Sequence, residues 1–139
     1  MLSKLSTASS QAYLTEAQAQ CLHGLAAEIL GSRSAIRQLS YHLVGSADLA
    51  ERDKATAMVQ ALQSQDWDSA CSHNALAGRN DLLLGILLRV DAEDGTSVDY
   101  WVAMRSPFDM LDAPSLVTCG KVDRLPEVTL APLSGETRK

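Results

Sequence analysis

Two Cys-x-His pairs, Cys21-Leu22-His23 and Cys71-Ser72-His73, are the residues of this 139-residue chain best suited to metal chemistry, because thiolate and imidazole are the usual ligands of zinc. Both pairs fall in segments of helical periodicity, where residues two apart point about 200° away from each other. Neither pair therefore chelates locally, and no Cys-x-x-Cys or His-x-x-x-His is present to complete a site. No metal ligands and no cofactor are expected, and the cysteines read as small buried hydrophobes. A nucleophilic Cys or Ser with a histidine base would have to assemble from distant segments, so no catalytic residue is assigned. The acidic stretch DAEDG at 91–95 lacks the D-x-[DN]-x-[DN]-G spacing of a calcium loop and reads as a solvated turn. The phosphate-cradling patterns GxGxxG and GxxxxGK[ST] are both absent.

The stretch LAAEILGSRSAIRQLSYHL at 25–43 carries other chemistry. It resembles the helix-turn-helix of winged-helix transcription regulators, in which a helix ending in AAE is followed by a turn and an S-R-S-x-[IV]-R-Q recognition helix. The resemblance implies that residues 32–43 read DNA, with Arg33, Arg37, Gln38 and His42 facing the major groove. Arg and Gln suit bidentate contacts with guanine and adenine. The likeness covers about twenty residues. The family's turn glycine would fall at Leu30, one place before Gly31, and a further long helix follows where the family has its G-x-G-T wing.

Composition bounds these options. At 14.9 kDa the chain fits one domain with a core of its own. It is 46% hydrophobic and 21% charged, ordinary for a globular protein and far from disorder. No apolar run reaches the roughly 20 residues that span a bilayer, and no membrane association is expected. Three cysteines spread over the chain do not form a disulfide framework, which points to a reducing cytoplasm. The net charge is −5, and residues 81–139 carry ten acidic side chains against six basic ones. That balance opposes nonspecific nucleic-acid binding and favours a basic or neutral protein partner.

The elements that must position any site read as helices first and strands afterwards. Thr15 and Gln18 form a T-x-x-Q capping box ahead of a helix over 16–30. Apolar spacing predicts further helices over 33–44, 47–64 and 67–77, the first of these ending at Gly45. Alternation then gives strands over 82–91 and 97–105. A three-residue loop Glu93-Asp94-Gly95 pairs Val90 with Val98, Leu88 with Tyr100, Ile86 with Val102 and Leu84 with Met104. The same register sets Arg89 opposite Asp99 and Leu87 opposite Trp101 on the other face. A two-residue turn would set Val90 against Asp99 and send one apolar face outward. Strands are also expected near 115–119 and 127–131.

The expected fold is α+β, with about four N-terminal helices packed on a small antiparallel sheet formed by the C-terminal half and containing a hairpin at 82–105. Residues 14–133 would form the domain, between flexible tails at 1–13 and 134–139. The first functional expectation is a small, acidic, non-enzymatic regulator of the inhibitor, immunity or chaperone type that occupies a partner protein's surface. Trp101, Leu87 and Leu83 on the outer hairpin face, flanked by Arg89 and Arg105, have the aromatic-plus-arginine make-up of interface centres. If helices cover that face, the interface moves to the helices or to the acidic loop 107–114. A homodimer through a sheet face or edge is a further arrangement. The alternatives are the DNA-binding regulator and a small-ligand binder or enzyme with an unrecognised site.

Overall fold

The computed structural model describes residues 14–75, 78–109 and 111–133. The tails expected at 1–13 and 134–139 lie outside these residues. Helix α1 (Glu16–Leu30) starts at Thr15, whose hydroxyl accepts a hydrogen bond from the Gln18 amide while the Gln18 side-chain oxygen accepts one from the Thr15 amide. Two of the helix's otherwise unpaired N–H groups are thereby satisfied. Leu22, Leu25, Ala26 and Leu30 form its buried stripe.

The helix expected over 33–44 is a strand instead, β1 (Ile36–Asp48). Leu39 and Tyr41 point toward α1, and Val44 packs in the cluster on the opposite face. The cause lies in a strand far along the chain. β2 (Leu82–Ala92), LLLGILLRVDA, is apolar on both faces. Such a strand needs a layer on each side and a hydrogen-bonded neighbour along each edge. β1 supplies the second neighbour, running antiparallel from Ile36 opposite Ala92 to Asp48 opposite Leu82. Gly45 is therefore a strand residue and not a helix stop. A Cβ there would lie 2.6 Å from the carbonyl oxygens of both Ala70 and His73, so only glycine lets that backbone press against β1.

Because β1 continues to Asp48, the helix expected over 47–64 begins later, as α2 (Arg52–Gln63). The one expected over 67–77 is a single turn, α3 (Trp67–Cys71), capped by the Asp66 carboxylate. Three helices, not four, thus occur among the described residues. The hairpin partner is β3 (Ser97–Ser106), in the register set by the three-residue loop: Val90 opposite Val98, Leu87 opposite Trp101, Leu84 opposite Met104. Gly95, at φ 93°, takes the left-handed position that the turn requires, and its N–H donates to the Ala92 carbonyl. The sheet is completed by β4 (Ser115–Lys121) and by β5 (Ala131–Pro132), a two-residue pairing in place of the strand expected over 127–131.

All neighbours are antiparallel, in the order β4-β3-β2-β1-β5. α1 covers one face, over Leu84, Ile86, Leu88, Val90, Val102 and Met104. α2 and α3 cover the other, over Val44, Leu83, Leu87, Trp101 and Ala103. They share that face with the segment from Val122 to Leu130, which leaves β4 at one edge and crosses to β5 at the other. Val122, Leu125 and Val128 pack into the same cluster on the way. Among the described residues, no helix is long and apolar enough to cross a membrane.

Candidate partner-binding edge

The outer hairpin face expected to dock a partner is interior. Leu83, Leu87 and Trp101 are 2%, 0% and 5% exposed, lying beneath α2 and the crossing segment. Trp101 lies flat on Gly120 of β4, where a Cβ would come within 2.4 Å of its Nε1. The two arginines expected to flank this strip form ion pairs within the fold. Arg89 makes a bidentate contact with Asp99 at 2.8 and 3.1 Å, and Arg105 meets Asp81 at 2.6 Å.

The four residues expected to read DNA are not on a helix. Arg33 lies in the turn after α1, Arg37 and Gln38 are exposed at the start of β1, and His42 is buried. His42 faces the crossing segment, with Nδ1 3.1 Å from the Thr129 carbonyl oxygen, so this nitrogen carries the proton. Its Nε2 is buried and has no hydrogen-bond partner among the described residues.

Exposed apolar surface gathers elsewhere. β4 is an outermost strand and, among the described residues, pairs only with β3, so that no described strand adds to its outer row of N–H and C=O groups. The ladder shifts at Val117, because Thr118 opposes Ala103 while Leu116 opposes Met104. A bulge of this kind re-aims a side chain at a sheet edge. Val117 faces α2, where it walls a groove of about 380 Å³ floored by Leu49, Ala55, Val59 and Leu83. Thr56, Gln60 and Gln63 form the opposite rim, spaced i, i+4 and i+7 along one side of α2. The large exposed hydrophobic residues of the described chain are Phe108, Leu111, Leu116 and Val117, two on β4 and two in the loop that feeds it.

That loop is pinned from below. The Asp81 carboxylate accepts the Phe108 N–H at 2.9 Å and pairs with Arg105. The Phe108 amide first, then the Arg105 hydrogen bond, hold the Asp81 carboxyl below the usual carboxylate range. Asp109 accepts the Leu111 N–H at 2.9 Å, and Asp109 and Asp112 are exposed carboxylates of the loop that leads into β4 at Ser115. The sequence did carry a trace of this patch: Phe108 and Leu111 stand in a segment bounded by Pro107 and Pro114 with no periodicity that could bury them.

A second hollow, of about 340 Å³, lies between the end of β1, the start of α2 and the residues after α3. Its polar groups are largely engaged with one another. Asp48 accepts from the Ala50 N–H and from Asn80, the Ser46 hydroxyl donates to the Ala75 carbonyl, and Glu51 pairs with Lys54 at 3.1 Å. Among the described residues no three His, Cys, Asp or Glu side chains come together as a metal site, and none of the three cysteines forms a disulfide. Burial pushes the Cys21 and Cys119 thiols up, for Cys119 with help from the Glu28 charge, which makes both weaker nucleophiles at neutral pH.

Compared with known proteins, the chain matches no family model, no curated protein and no solved structure.

Proposed function

We propose that this chain is a non-enzymatic protein-binding regulator that engages its partner by accepting an added strand along β4. One observation carries the reading: the exposed large apolar side chains of the described residues all lie within 108–117, on or beside the open sheet edge. Elsewhere on the described chain the large aliphatic and aromatic side chains are buried or half-buried. An open edge supplies affinity through main-chain hydrogen bonds, while flanking apolar side chains desolvate the contact. The acidic net charge suits a partner that is basic or neutral where it touches the loop.

The test compares the wild-type chain with a Leu116→Asp, Val117→Asp variant as bait in cells of the source organism, with nuclease treatment. A partner protein should be retained by the wild type and lost by the variant, while circular dichroism and thermal melting of the variant stay unchanged. Adding the purified partner should slow hydrogen exchange in the amides of 115–121. A partner retained equally by the variant, or protection on the opposite edge at β1, refutes the reading.

A further inference from the structure

We infer that residues 123–130 form a releasable cover, which lifts as one unit hinged at Val122 and Ala131 and uncovers His42 and Trp101 while the sheet stays folded. The inference is independent of strand addition at β4. The hinges are firm: the Val122 N–H donates to the Asp99 carbonyl and the Leu133 N–H to the Leu39 carbonyl, both at 2.8 Å, and β5 pairs with Ser40 and Tyr41. Between the hinges the main chain is held at two points. The Asp123 N–H donates to the Gln65 side-chain oxygen at 3.3 Å, and the Thr129 carbonyl accepts from His42 at 3.1 Å. Among the described residues, no hydrogen bond or ion pair ties 124–128 to the rest of the fold. What remains is packing, by Leu125 and Val128, both half-buried against the cluster that holds Leu87 and Trp101. A segment with few hydrogen bonds and half-buried apolar contacts belongs to the low-stability end of a fold, whereas the sheet beneath it is fully laddered.

Both points of attachment are weak. Gln65 stands at φ 58°, a left-handed conformation that disfavours residues with a Cβ, and its two contacts with Asp123, at 3.3 and 3.4 Å, are long for hydrogen bonds. His42 is 6% exposed. With its Nδ1 donating to Thr129, its Nε2 keeps a lone pair that is buried and has no donor among the described residues. Closure of the cover removes water from that nitrogen and puts no hydrogen bond in its place, and lifting restores its hydration. The cover is thus a two-state element, held shut by Leu125 and Val128 and opposed by the unmatched nitrogen beneath it. Its position controls whether the ring of Trp101, 5% exposed when it is shut, meets solvent.

Two probes of the full chain, run at one fixed pH, test the inference. Diethyl pyrocarbonate acylates the lone-pair nitrogen of His42 only when the cover is lifted, and trypsin cuts after the exposed Arg124 only when the segment can leave the surface and enter the protease. Mass spectrometry follows both reactions, and hydrogen exchange of the β2 amides reports opening of the sheet. His42 labelling and Arg124 cleavage should proceed in step with each other and well ahead of β2 exchange. Gln65→Gly removes the clip on Asp123, and glycine takes the left-handed conformation without strain. It should raise both rates about fivefold, as expected for the loss of one modest hydrogen bond, and leave the melting midpoint unchanged or higher. The inference is overturned if His42 stays unlabelled and Arg124 uncut until the β2 amides exchange, since the segment then opens only with the whole fold. Cleavage without His42 labelling overturns it too, by showing fraying around Arg124 alone, and so do rates that Gln65→Gly leaves unchanged.

Discussion

Trp101→Ala is expected to cost about 3–5 kcal/mol of folding stability, because the indole is buried beneath α2 and the crossing segment and rests on Gly120. Urea denaturation checks this, and an unchanged midpoint would place the ring outside the core. Gly120→Ala attacks the same contact from below. Its methyl group meets the indole nitrogen well inside van der Waals contact, and a loss of about 1–3 kcal/mol is expected. The two effects should be strongly non-additive in a double-mutant cycle, since the alanine at 101 removes the ring that the new methyl strikes. Acid should act through the aspartates. Asp66, Asp81 and Asp94 sit below the usual carboxylate range through hydrogen bonds to Ser69, to Phe108 and Arg105, and to Thr96 respectively. The folded state thus holds these protons more weakly than the unfolded chain, whose aspartates titrate near about 3.9. Their stabilisation is present above that value and is lost as pH falls through the lower folded values. Asp81→Asn should accordingly show a shallower loss of stability than wild type as pH drops from about 5 toward 2. Parallel curves for the two proteins would count against it.

The elements differ in how far the sequence reveals them, and the difference is physical. The hairpin is legible because two independent constraints agree. Gly95 supports a three-residue loop, and only that loop length puts Leu84, Ile86, Leu88 and Val90 on the same face as Val98, Tyr100, Val102 and Met104. α1 is legible because its capping box and its apolar stripe are both local. β1 is not legible from its own residues. Ile36, Leu39 and Leu43 satisfy helical spacing while Leu39, Tyr41 and Leu43 satisfy alternation, so local pattern leaves a tie. The tie is broken by β2, about forty residues later, which needs a neighbour on its second edge. Burial of the outer hairpin face is hidden for the same reason, since α2 and the crossing segment reach it only through tertiary packing. The open edge was foreshadowed only by the unburied apolar residues of the loop 107–114. Gly45 gives this level its test. Gly45→Val would push the Ala70 and His73 carbonyls away from β1, and a loss of about 1–3 kcal/mol or more is expected. Hydrogen exchange should show 70–75 loosening before the hairpin does. Uniform loosening of the whole sheet would contradict this account.

At the scale of the whole molecule, two layers enclose a sheet whose two edges are treated differently. Along β1, the pairing of Ser40 and Tyr41 with β5, the Leu133 N–H bonded to the Leu39 carbonyl, and the contact of Ser46 with 73–75 occupy much of the outer backbone row. Along β4, no strand of the described residues adds to the row. A partner strand seated on β4 should therefore raise the molar mass by one partner only, and light scattering at rising concentration should reach a plateau. Removal of the β5 pairing by Leu133→Asp should weaken that plateau along with the fold, since Leu133 belongs to the core under α1. The asymmetry sets a limit on growth. Indefinite stacking of sheets demands two reactive ends per unit, as polymerisation demands a bifunctional monomer, and among the described residues β4 is the one long strand at an edge, β5 pairing over two residues. On the strand-addition proposal the fold would act as a chain stopper: once β4 is occupied, the described residues leave no long edge strand from which to extend.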